Sequence, residues 1–283
     1  MARLQASLSR IMDAYKEVSA TADQSVSVLL AGDAGLVSLA QQEFSTGGMV
    51  PATWVGRLED MEGLSPGPGE ILVLFVKAQH EAQAVGLVGE RPPKGGLVLV
   101  VDEGDDATGC IVHRQKRFAR LSFSDSPGGW RGLFAACAKV AGDRVIALGR
   151  RYPMIRKMAA DQVMQRTALQ NGLVALAFII PGADMPAMTI NQAKMVLSIG
   201  SMYGAETNQE RALELVTVVG AGFGFRALTR KVTKLIPGSA WLTRIILGYA
   251  ATLALGKAAV IYYEEGAPAS TSRVVGLVRS FKR

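Results

Sequence analysis

Along the first 150 residues, short apolar runs alternate with segments of helical periodicity. The runs at residues 25–33, 70–76 and 96–106 are rich in Val, Ile and Leu and lead into glycine or charged residues, which is typical of buried β-strands. Helical segments of about ten residues lie between them, and the segment "WRGLFAACAKVAG" closes the region. The pattern predicts an α/β domain with a parallel sheet over residues 25–150, preceded by an amphipathic helix over residues 1–24.

From residue 153 onward, apolar positions recur at helical spacing. The two breaks in this pattern both contain Ile-Pro-Gly, a combination that ends a helix and turns the chain. The residues that make the breaks are Pro181, Gly182, Pro237 and Gly238. The pattern predicts an all-α domain of two helical hairpins over residues 151–268, followed by a basic amphipathic tail over residues 269–283. The four helices are predicted over residues 153–180, 186–203, 208–235 and 239–263.

Asp184 lies between the first break and Pro186, where the second of these helices is predicted to begin. A carboxylate at this position can accept hydrogen bonds from the unpaired N–H groups of the first helical turn, and it lies at the positive end of the helix dipole. We therefore interpret Asp184 as a helix cap. The alternative is an ion or partner site that Asp184 forms with Asn191 and Gln192.

The last predicted helix bears on where the protein is located. Trp241 and Tyr262 lie 21 positions apart, which corresponds to about 32 Å along a helix and matches an apolar bilayer core edged by aromatic residues. Arg244 and Lys257 interrupt the apolar run between them. The pattern predicts membrane association of this half, and a soluble buried bundle is the alternative.

Charge is divided unevenly between the two halves of the chain. Residues 1–150 contain 15 basic and 17 acidic side chains, a balance of −2, whereas residues 151–283 contain 16 basic and 7 acidic ones, a balance of +9. Because the basic half is also the more apolar half, we expect it to face an anionic membrane. Few aromatic residues accompany these charges, so no nucleic-acid partner is expected. The basic positions expected at the membrane surface are Arg226, Arg230 and Lys234 in the third helix and Arg279 and Lys282 in the tail.

The carboxyl ends of the predicted strands are where an α/β sheet binds its ligands. Gly32, Asp33 and Gly35 follow the first strand. A phosphate-binding loop needs a second glycine, a lysine and a serine or threonine at set distances, but Val-Ser-Leu at residues 37–39 occupies those positions. The motif is therefore interpreted as an ordinary turn between a strand and a helix.

Metal-dependent and nucleophilic chemistry have little support in the sequence. The two histidines, His80 and His113, have no cysteine or paired carboxylates at metal-ligand spacing. The two cysteines, Cys110 and Cys137, form no CxxC pair, which fits a reduced cytoplasmic environment. No metal site and no catalytic residue are therefore predicted.

Residues 151–266 resemble the YcjF-like domain of unknown function. The most specific parts of the resemblance are "PGADMPAMTINQAKMV", "IPGSAW" and "ATLALGKAAVIYYEEG". In bacteria that domain commonly follows or partners a small Ras-like GTPase domain, and many members are described as membrane proteins. The resemblance implies that residues 25–150 are a degenerate GTPase domain with a P-loop GTPase-like parallel sheet. It also implies a location at the cytoplasmic face of the bacterial cell membrane, with the cytoplasm as the second choice.

Within the degenerate GTPase domain, the resemblance places Gly32, Asp33 and Gly35 at the phosphate loop and Asp105 at the guanine-reading motif Asn-Lys-x-Asp. The lysine of the phosphate loop is absent, and Asp-Glu stands in place of the Asn-Lys of the guanine motif. GTP is the cofactor that the resemblance implies, but these losses lead us to expect no cofactor.

These expectations combine into one leading hypothesis and two alternatives. The leading hypothesis is a bacterial membrane-associated adaptor or regulator with a pseudo-GTPase domain, a protein partner such as a GTPase, and no chemistry of its own. The first alternative is a divergent GTP-binding nucleoside triphosphatase with a non-standard phosphate loop around residues 32–35. The second alternative is a soluble helical scaffold that binds an acidic partner. The pattern does not indicate an oligomeric state.

Overall fold

The computed structural model of the chain describes residues 2–45, 51–55, 66–88, 94–103, 111–115, 117–177, 185–205 and 240–265. The chain divides into two compact units. The first, called here the sheet unit, consists of Asp23–Ala159. The second, called the helical unit, consists of Met1–Ala22 together with Ala160–Arg283.

Helices and short strands alternate along the part of the sheet unit that the structure describes. The strands are β1 (Ser27–Gly32), β2 (Ala52–Val55), β3 (Glu70–Lys77), β4 (Gly96–Asp102), β5 (Ile111–Gln115) and β6 (Phe118–Phe123). The α-helices of the described chain are α1 (Ala2–Ala22), α2 (Ala34–Ser45), α3 (Glu81–Val88), α4 (Pro127–Val140), α5 (Val145–Arg151), α6 (Pro153–Ala177), α7 (Met185–Met202) and α8 (Ala240–Glu265). Short 3₁₀ turns occupy Ala78–His80 and Gly142–Arg144.

The six strands form one sheet in the order β2-β1-β3-β4-β6-β5. The first five in this order run parallel to one another, and β5 pairs with β6 in the antiparallel direction. The predicted α/β sheet is therefore confirmed, and the three predicted apolar runs are β1, β3 and β4. Strands β3 and β4 lie at the centre, which is why their residues are buried on both faces and read as continuous apolar runs.

Two separate apolar layers cover the faces of the sheet. On one face, side chains of the central strands pack with Ala84 of α3, and the other buried members are Ala31, Leu72, Leu74, Val76, Leu97, Leu99, Val101 and Phe118. On the other face, the Phe44 ring of α2 lies 5.6 Å from that of Phe134 in α4, edge to face. Phe44 also packs 6.0 Å from the ring of Tyr152. The hydroxyl of Tyr152 accepts a hydrogen bond of 3.0 Å from the buried backbone N–H of Val28.

Over the described residues, the helical unit contains α1, α7, α8 and the part of α6 that begins at Ala160. Val18 of α1 and Leu197 of α7 form a small buried cluster, with Tyr15 packed against it. Lys194 of α7 lies 2.5 Å from a carboxylate oxygen of Glu17, at the exposed margin of the same contact. The predicted all-α character of the C-terminal half is therefore confirmed over the described residues.

The division of the chain differs from the predicted segments at two places. The predicted helix over residues 1–24 is α1, but it belongs to the helical unit because it packs on α7. The helical unit begins again at Ala160, whereas the pattern placed the boundary after residue 150. Local periodicity identifies α1 as a helix. Its partner helix, α7, lies more than 150 positions away, so the periodicity of α1 does not indicate that the two helices pack together.

Several predicted features lie outside the described residues. They include the helix over residues 208–235 and the tail over residues 269–283. The individual residues in this group are Asp105, Pro181, Gly182, Asp184, Arg226, Arg230, Lys234, Pro237, Gly238, Arg279 and Lys282. The remaining predicted helices of this half correspond to α6, α7 and α8.

Helices that combine the length and the apolar character needed to span a bilayer do not occur in the part of the chain that the structure describes.

The bond between Val28 and Tyr152 generates a prediction about stability. We expect Tyr152→Phe to lower the free energy of unfolding by about 1–3 kcal/mol, because it leaves a buried N–H group without an acceptor. Denaturant unfolding followed by circular dichroism measures the change. Tyr203→Phe is the matched control, since it removes an exposed hydrogen bond to Glu264. An equal effect of the two substitutions would contradict the assignment.

Candidate functional site

A ligand site is expected first at the carboxyl edge of the sheet next to β1. Strand β2 lies on one side of β1 and β3 lies on the other, so the chain reverses its direction of progress across the sheet at this point. In open parallel sheets, ligands bind outside the carboxyl ends of the strands at this position. The residues that follow β1 and end β3 therefore define the candidate site.

Gly32 leaves no room for a side chain where β1 passes β3 at the carboxyl edge. Its φ angle is 114°, and a Cβ atom there would lie 2.0 Å from the carbonyl oxygen of Phe75 in β3. The next residue, Asp33, donates its backbone N–H to the same carbonyl oxygen at 3.0 Å. Only glycine fits this combination of positive φ and close approach. The turn after β1 is thereby fixed against β3.

Asp33 occupies the N-terminus of α2 with its own side chain. Its Oδ1 atom accepts hydrogen bonds from the backbone N–H groups of Gly35 at 3.0 Å and Leu36 at 3.3 Å. Its Oδ2 atom lies 3.7 Å from Nζ of Lys77, the last residue of β3. The start of a helix is where a protein binds phosphate, because unpaired N–H groups and the helix dipole both attract an anion. In this chain the carboxylate of Asp33 occupies the start of α2.

The connection between β1 and α2 is also short. Strand β1 ends at Gly32 and α2 begins at Ala34, so Asp33 alone separates them. A phosphate loop of the GTPase type has four residues between its two glycines, and their backbone N–H groups surround the phosphates. The single-residue connection provides no such enclosure. This geometry agrees with the interpretation of the motif as an ordinary turn between a strand and a helix.

A network of charged side chains lies further along the same edge, around Arg120 of β6. The guanidinium group contacts Glu81 in a two-point geometry, with Nε 2.6 Å from Oε1 and Nη2 2.9 Å from Oε2. Nη2 also donates to Glu103 at 2.7 Å, and Nη1 donates to the hydroxyl of Ser122 at 2.7 Å. Ser122 in turn donates to Glu103 at 3.0 Å. Arg120 thus joins the start of α3, the residue after β4 and the middle of β6.

Electrostatics explain why the Arg120 network is stable in a mostly apolar sheet. The side chain of Arg120 is only 17% exposed, and those of Glu81 and Glu103 are 26% and 29% exposed. The hydrogen bond to Glu81 raises the pKa of Arg120 above its ordinary value, and the bond to Glu103 adds to the effect although burial opposes it. A half-buried charge that lacked these partners would be costly. The arginine in "FARLSF" is a signal in the sequence for such a network, because an isolated charge in a buried strand requires a partner.

The loop after β6 is used for capping. Ser126 accepts a hydrogen bond from the backbone N–H of Gly129 at 3.1 Å, and Pro127 occupies the first turn of α4. Asp125 accepts from the indole N–H of Trp130 at 2.8 Å. A Cβ atom at Gly129 would lie 2.0 Å from the carbonyl oxygen of Ser124, so the loop lies tightly against the helix start. These polar groups satisfy one another within the chain.

A second polar cluster lies inside the helical unit, between α6, α7 and α8. Asn171 is fully buried and donates to the hydroxyl of Thr252 at 2.9 Å. Asn191 donates to the amide oxygen of Asn171 at 2.9 Å, and Gln192 donates to Thr252 at 3.3 Å. Thr252 completes the cluster by donating to the carbonyl oxygen of Gly248 at 2.8 Å. Asn191 and Gln192 therefore lie in a helix-to-helix hydrogen-bond network.

The structure brings together three of the four residues that were assigned to a nucleotide site, namely Gly32, Asp33 and Gly35. Of the predicted membrane residues, Trp241 lies in the first turn of α8 and Tyr262 lies near its end, where its ring contacts that of Tyr263 at 5.2 Å. Within the described ranges, no group of three His, Cys, Asp or Glu side chains is arranged to hold a metal ion. The pattern did not indicate the pairing of Arg120 with Glu81 and Glu103.

Comparison with known proteins bears on the C-terminal half. Residues 145–265 match a family model described as Domain of unknown function (DUF697). The match runs from the first residue of α5 to the last residue of α8. It confirms the prediction that the C-terminal half carries a domain of unknown function. Neither the curated proteins nor the solved structures include a match to the chain.

The close approach at Gly32 generates a prediction with an internal control. We expect Gly32→Ala to lower the free energy of unfolding by more than about 3 kcal/mol, because the new Cβ atom meets a backbone oxygen. Gly142→Ala is the control, since its φ angle is also positive at 61° but nothing lies within 4 Å of its Cβ position. Thermal and denaturant unfolding measure both. Similar losses for the two variants would contradict the role of Gly32.

The Arg120 network generates a second prediction. We expect Arg120→Met to lower the free energy of unfolding by about 2–4 kcal/mol, because two half-buried carboxylates lose their partner. Adding Glu81→Gln and Glu103→Gln to this variant removes the unpaired charges and should restore at least about 1 kcal/mol. Arg131→Met, at an exposed position of α4, should change stability by about 0.5 kcal/mol or less. Additive losses in the triple variant would argue against the network.

Proposed function

We propose that the chain is a bacterial adaptor or regulator in which a GTPase-like sheet unit has lost nucleotide binding. In this proposal the helical unit, a YcjF-like domain, associates with the cytoplasmic face of the membrane, and the protein acts on a partner such as a GTPase. The sheet unit then serves as a recognition surface and carries out no chemistry.

The single observation that carries the proposal is the Asp33 carboxylate at the N-terminus of α2. A phosphate bound there would come within about 4 Å of this carboxylate, where two like charges repel by about 4 kcal/mol at an effective dielectric constant of 20. Attraction by the helix dipole amounts to only about 0.3–1 kcal/mol at a partly exposed site. Because the repulsion exceeds this attraction, an anion is disfavoured. Lys77, whose Nζ lies 3.7 Å from Asp33 Oδ2, offsets part of this repulsion, but its side chain is 57% exposed and its charge is screened by solvent.

Two further features support a GTPase-like origin without nucleotide binding. The parallel strand order β2-β1-β3-β4-β6 is doubly wound, as the resemblance implies for a GTPase-like domain. Glu103, which follows β4 near the position of the guanine-reading motif, is bonded to Arg120 and Ser122. A nucleotide base would have to displace these bonds. The bonds of Glu103 within the chain therefore support the proposed loss of base recognition.

The membrane and partner parts of the proposal rest on the C-terminal half. Residues 151–283 carry a balance of +9 in charge together with most of the long apolar runs, and this combination favours an anionic bilayer as the binding surface. The match over residues 145–265 supports treating this half as a domain with its own identity. In YcjF-like proteins such a domain commonly follows or partners a Ras-like GTPase domain, which is the basis for proposing a GTPase as the partner.

Substitution of Asp33 tests the nucleotide part of the proposal. Asparagine caps a helix as well as aspartate does, so Asp33→Asn removes the charge and keeps the hydrogen bonds. We expect wild-type protein to show no binding of magnesium-GTP up to about 1 mM in calorimetric titration. We expect Asp33→Asn to bind inorganic triphosphate at least about tenfold more tightly than wild type, because the repulsion is removed.

Asp143→Asn is the matched control, because Asp143 is an exposed carboxylate of the same unit and should leave the affinity unchanged. Micromolar binding of magnesium-GTP by wild type would refute the loss of nucleotide binding. GTP turnover that disappears in Gly35→Val would instead favour the divergent nucleoside triphosphatase. Equal triphosphate affinities of wild type and Asp33→Asn would show that the carboxylate does not exclude anions.

A further inference from the structure

Four large apolar side chains of the helical unit are exposed on the neighbouring helices α6 and α8. The exposed fractions are 59% for Leu169 and 57% for Leu173 in α6, and 52% for Ile246 and 37% for Tyr249 in α8. The four belong to one surface because the helices touch at this level, where a Cβ atom at Gly172 would lie 3.9 Å from Cβ of Tyr249. We call these four residues the apolar face.

The other sides of α8 are in contact with α6 and α7. Thr252 accepts hydrogen bonds from Asn171 of α6 and Gln192 of α7. A Cβ atom at Gly256 would lie 2.4 Å from Cγ of Met164 in α6. Among the described elements, the side of α8 that has no neighbouring helix is therefore the side that contributes to the apolar face.

The ends of α7 and α8 show where residues 206–239, which lie outside the described ranges, begin and end. The hydroxyl of Tyr203, just after α7, donates to Glu264 at 2.8 Å, and its ring stacks on that of Tyr263 at 6.1 Å. The chain thus leaves α7 beside the carboxyl end of α8. It returns at Ala240, the amino end of α8. Residues 206–239 therefore connect the two ends of α8.

The helix predicted over residues 208–235 has the length that this connection needs. Its 28 residues correspond to about 42 Å, and the 23 positions from Ala240 to Tyr263 correspond to about 35 Å. The break at residues 236–238 leaves only a short turn before α8. Helices joined by a short turn pack side by side in opposite directions. The sequence therefore predicts that this helix lies along α8.

The carboxyl half of the predicted helix has an apolar stripe and a basic stripe. The apolar stripe consists of Phe225, Leu228, Val232 and Leu235. The basic stripe consists of Arg226, Arg230 and Lys234. Spacings of three and four residues place each stripe on one side of a helix, and the two stripes lie on opposite sides.

The apolar stripe reaches the level of the apolar face. Leu228 lies nine positions before Pro237, and Ile246 lies nine positions after it. Phe225 and Tyr249 lie twelve positions before and after the same proline. In a hairpin of antiparallel helices, positions equally distant from the turn lie opposite each other. The two apolar surfaces therefore match in position as well as in character.

We infer that residues 206–239 of the same chain dock on the apolar face, with the apolar stripe in the groove between α6 and α8. The segment is attached to the helical unit at both ends, so its effective concentration at the face is on the order of millimolar. A second copy of the chain or a lipid would have to displace it. The basic stripe then points away from the helices. In the proposed function this is the side that meets lipid headgroups, and this consequence alone rests on that function.

Cross-linking of cysteine pairs tests this docking in full-length protein without lipid. Leu173→Cys is combined with Leu228→Cys in a Cys110→Ser background and treated with a short bifunctional maleimide. Cys137 should not react, because complete burial raises the pKa of its thiol to about 12. We expect a cross-link within the monomer. The matched control uses Arg230→Cys in place of Leu228→Cys; it lies on the opposite side of the predicted helix and should react at least about tenfold more slowly.

The outcomes separate the three possible occupants of the apolar face. Equal rates for the two pairs, or no cross-link in either, would overturn the docking of residues 206–239. A cross-linked dimer would assign the face to a second copy of the chain. A rate that falls about tenfold on addition of vesicles with about one-third phosphatidylglycerol would assign the face to lipid. The last two results also overturn the inference. Flotation with the same vesicles reports membrane association by itself, so the proposed function can fail while the docking stands.

Thermal unfolding of the monomer supplies an independent readout. We expect Leu169→Gln/Leu173→Gln to lower the melting temperature by about 4 °C or more, because the two leucines are covered in the docked state. The control Leu169→Met/Leu173→Met keeps the apolar surface and should melt close to wild type. Leu228→Gln should also lower the melting temperature, and its loss should not add fully to that of the first variant. Arg230→Gln should leave it unchanged. A melting temperature that stays constant or rises in Leu169→Gln/Leu173→Gln would show that solvent reaches the face and would overturn the inference.

Discussion

The first turn of α2 begins directly at the carboxyl edge of β1, and its unpaired N–H groups require an acceptor. Asp33 supplies that acceptor, and it can do so because Gly32 brings β1 against the carbonyl oxygen of Phe75. The helix start is thereby completed by the chain itself. In a phosphate-binding sheet the same groups are completed by the ligand. This contact places a side chain of the chain itself at the helix start that follows β1.

The Arg120 network extends the same principle to the other half of the sheet edge. A charge on a largely buried strand is tolerated only when its partners are close, and Glu81 and Glu103 meet that requirement from two different elements. The guanidinium group consequently ties α3, β4 and β6 together. The edge is held by ionic and capping contacts within the chain.

In the helical unit, specific contacts select one alignment of the three apolar helices α6, α7 and α8. The hydrogen bonds of Asn171 with Thr252 and Asn191 are satisfied only in one register, because a shifted helix would leave buried amides unpaired. Gly256 reinforces the choice, since a Cβ atom there would lie 2.4 Å from Cγ of Met164. The alignment in turn brings the apolar ends of α6 and α8 together. Packing in the interior therefore determines which surface the unit exposes.

Local pattern was sufficient for β1, β3, β4, α6, α7 and α8, because each has a continuous apolar run or a clear helical period. The missing lysine after the first strand also pointed to an ordinary turn between a strand and a helix, and Asp33 caps the helix that follows this turn. The edge strands β2 and β5 were not predicted. Strand β2 is only four residues long, and β5, "IVHRQ", is half polar. Tertiary structure alone decided that Arg120 pairs with Glu81 and Glu103, that α1 joins the helical unit, and that Asn171 meets Thr252. Each of these contacts joins residues far apart in the chain, and periodicity reports which face of an element is buried but not which partner covers it.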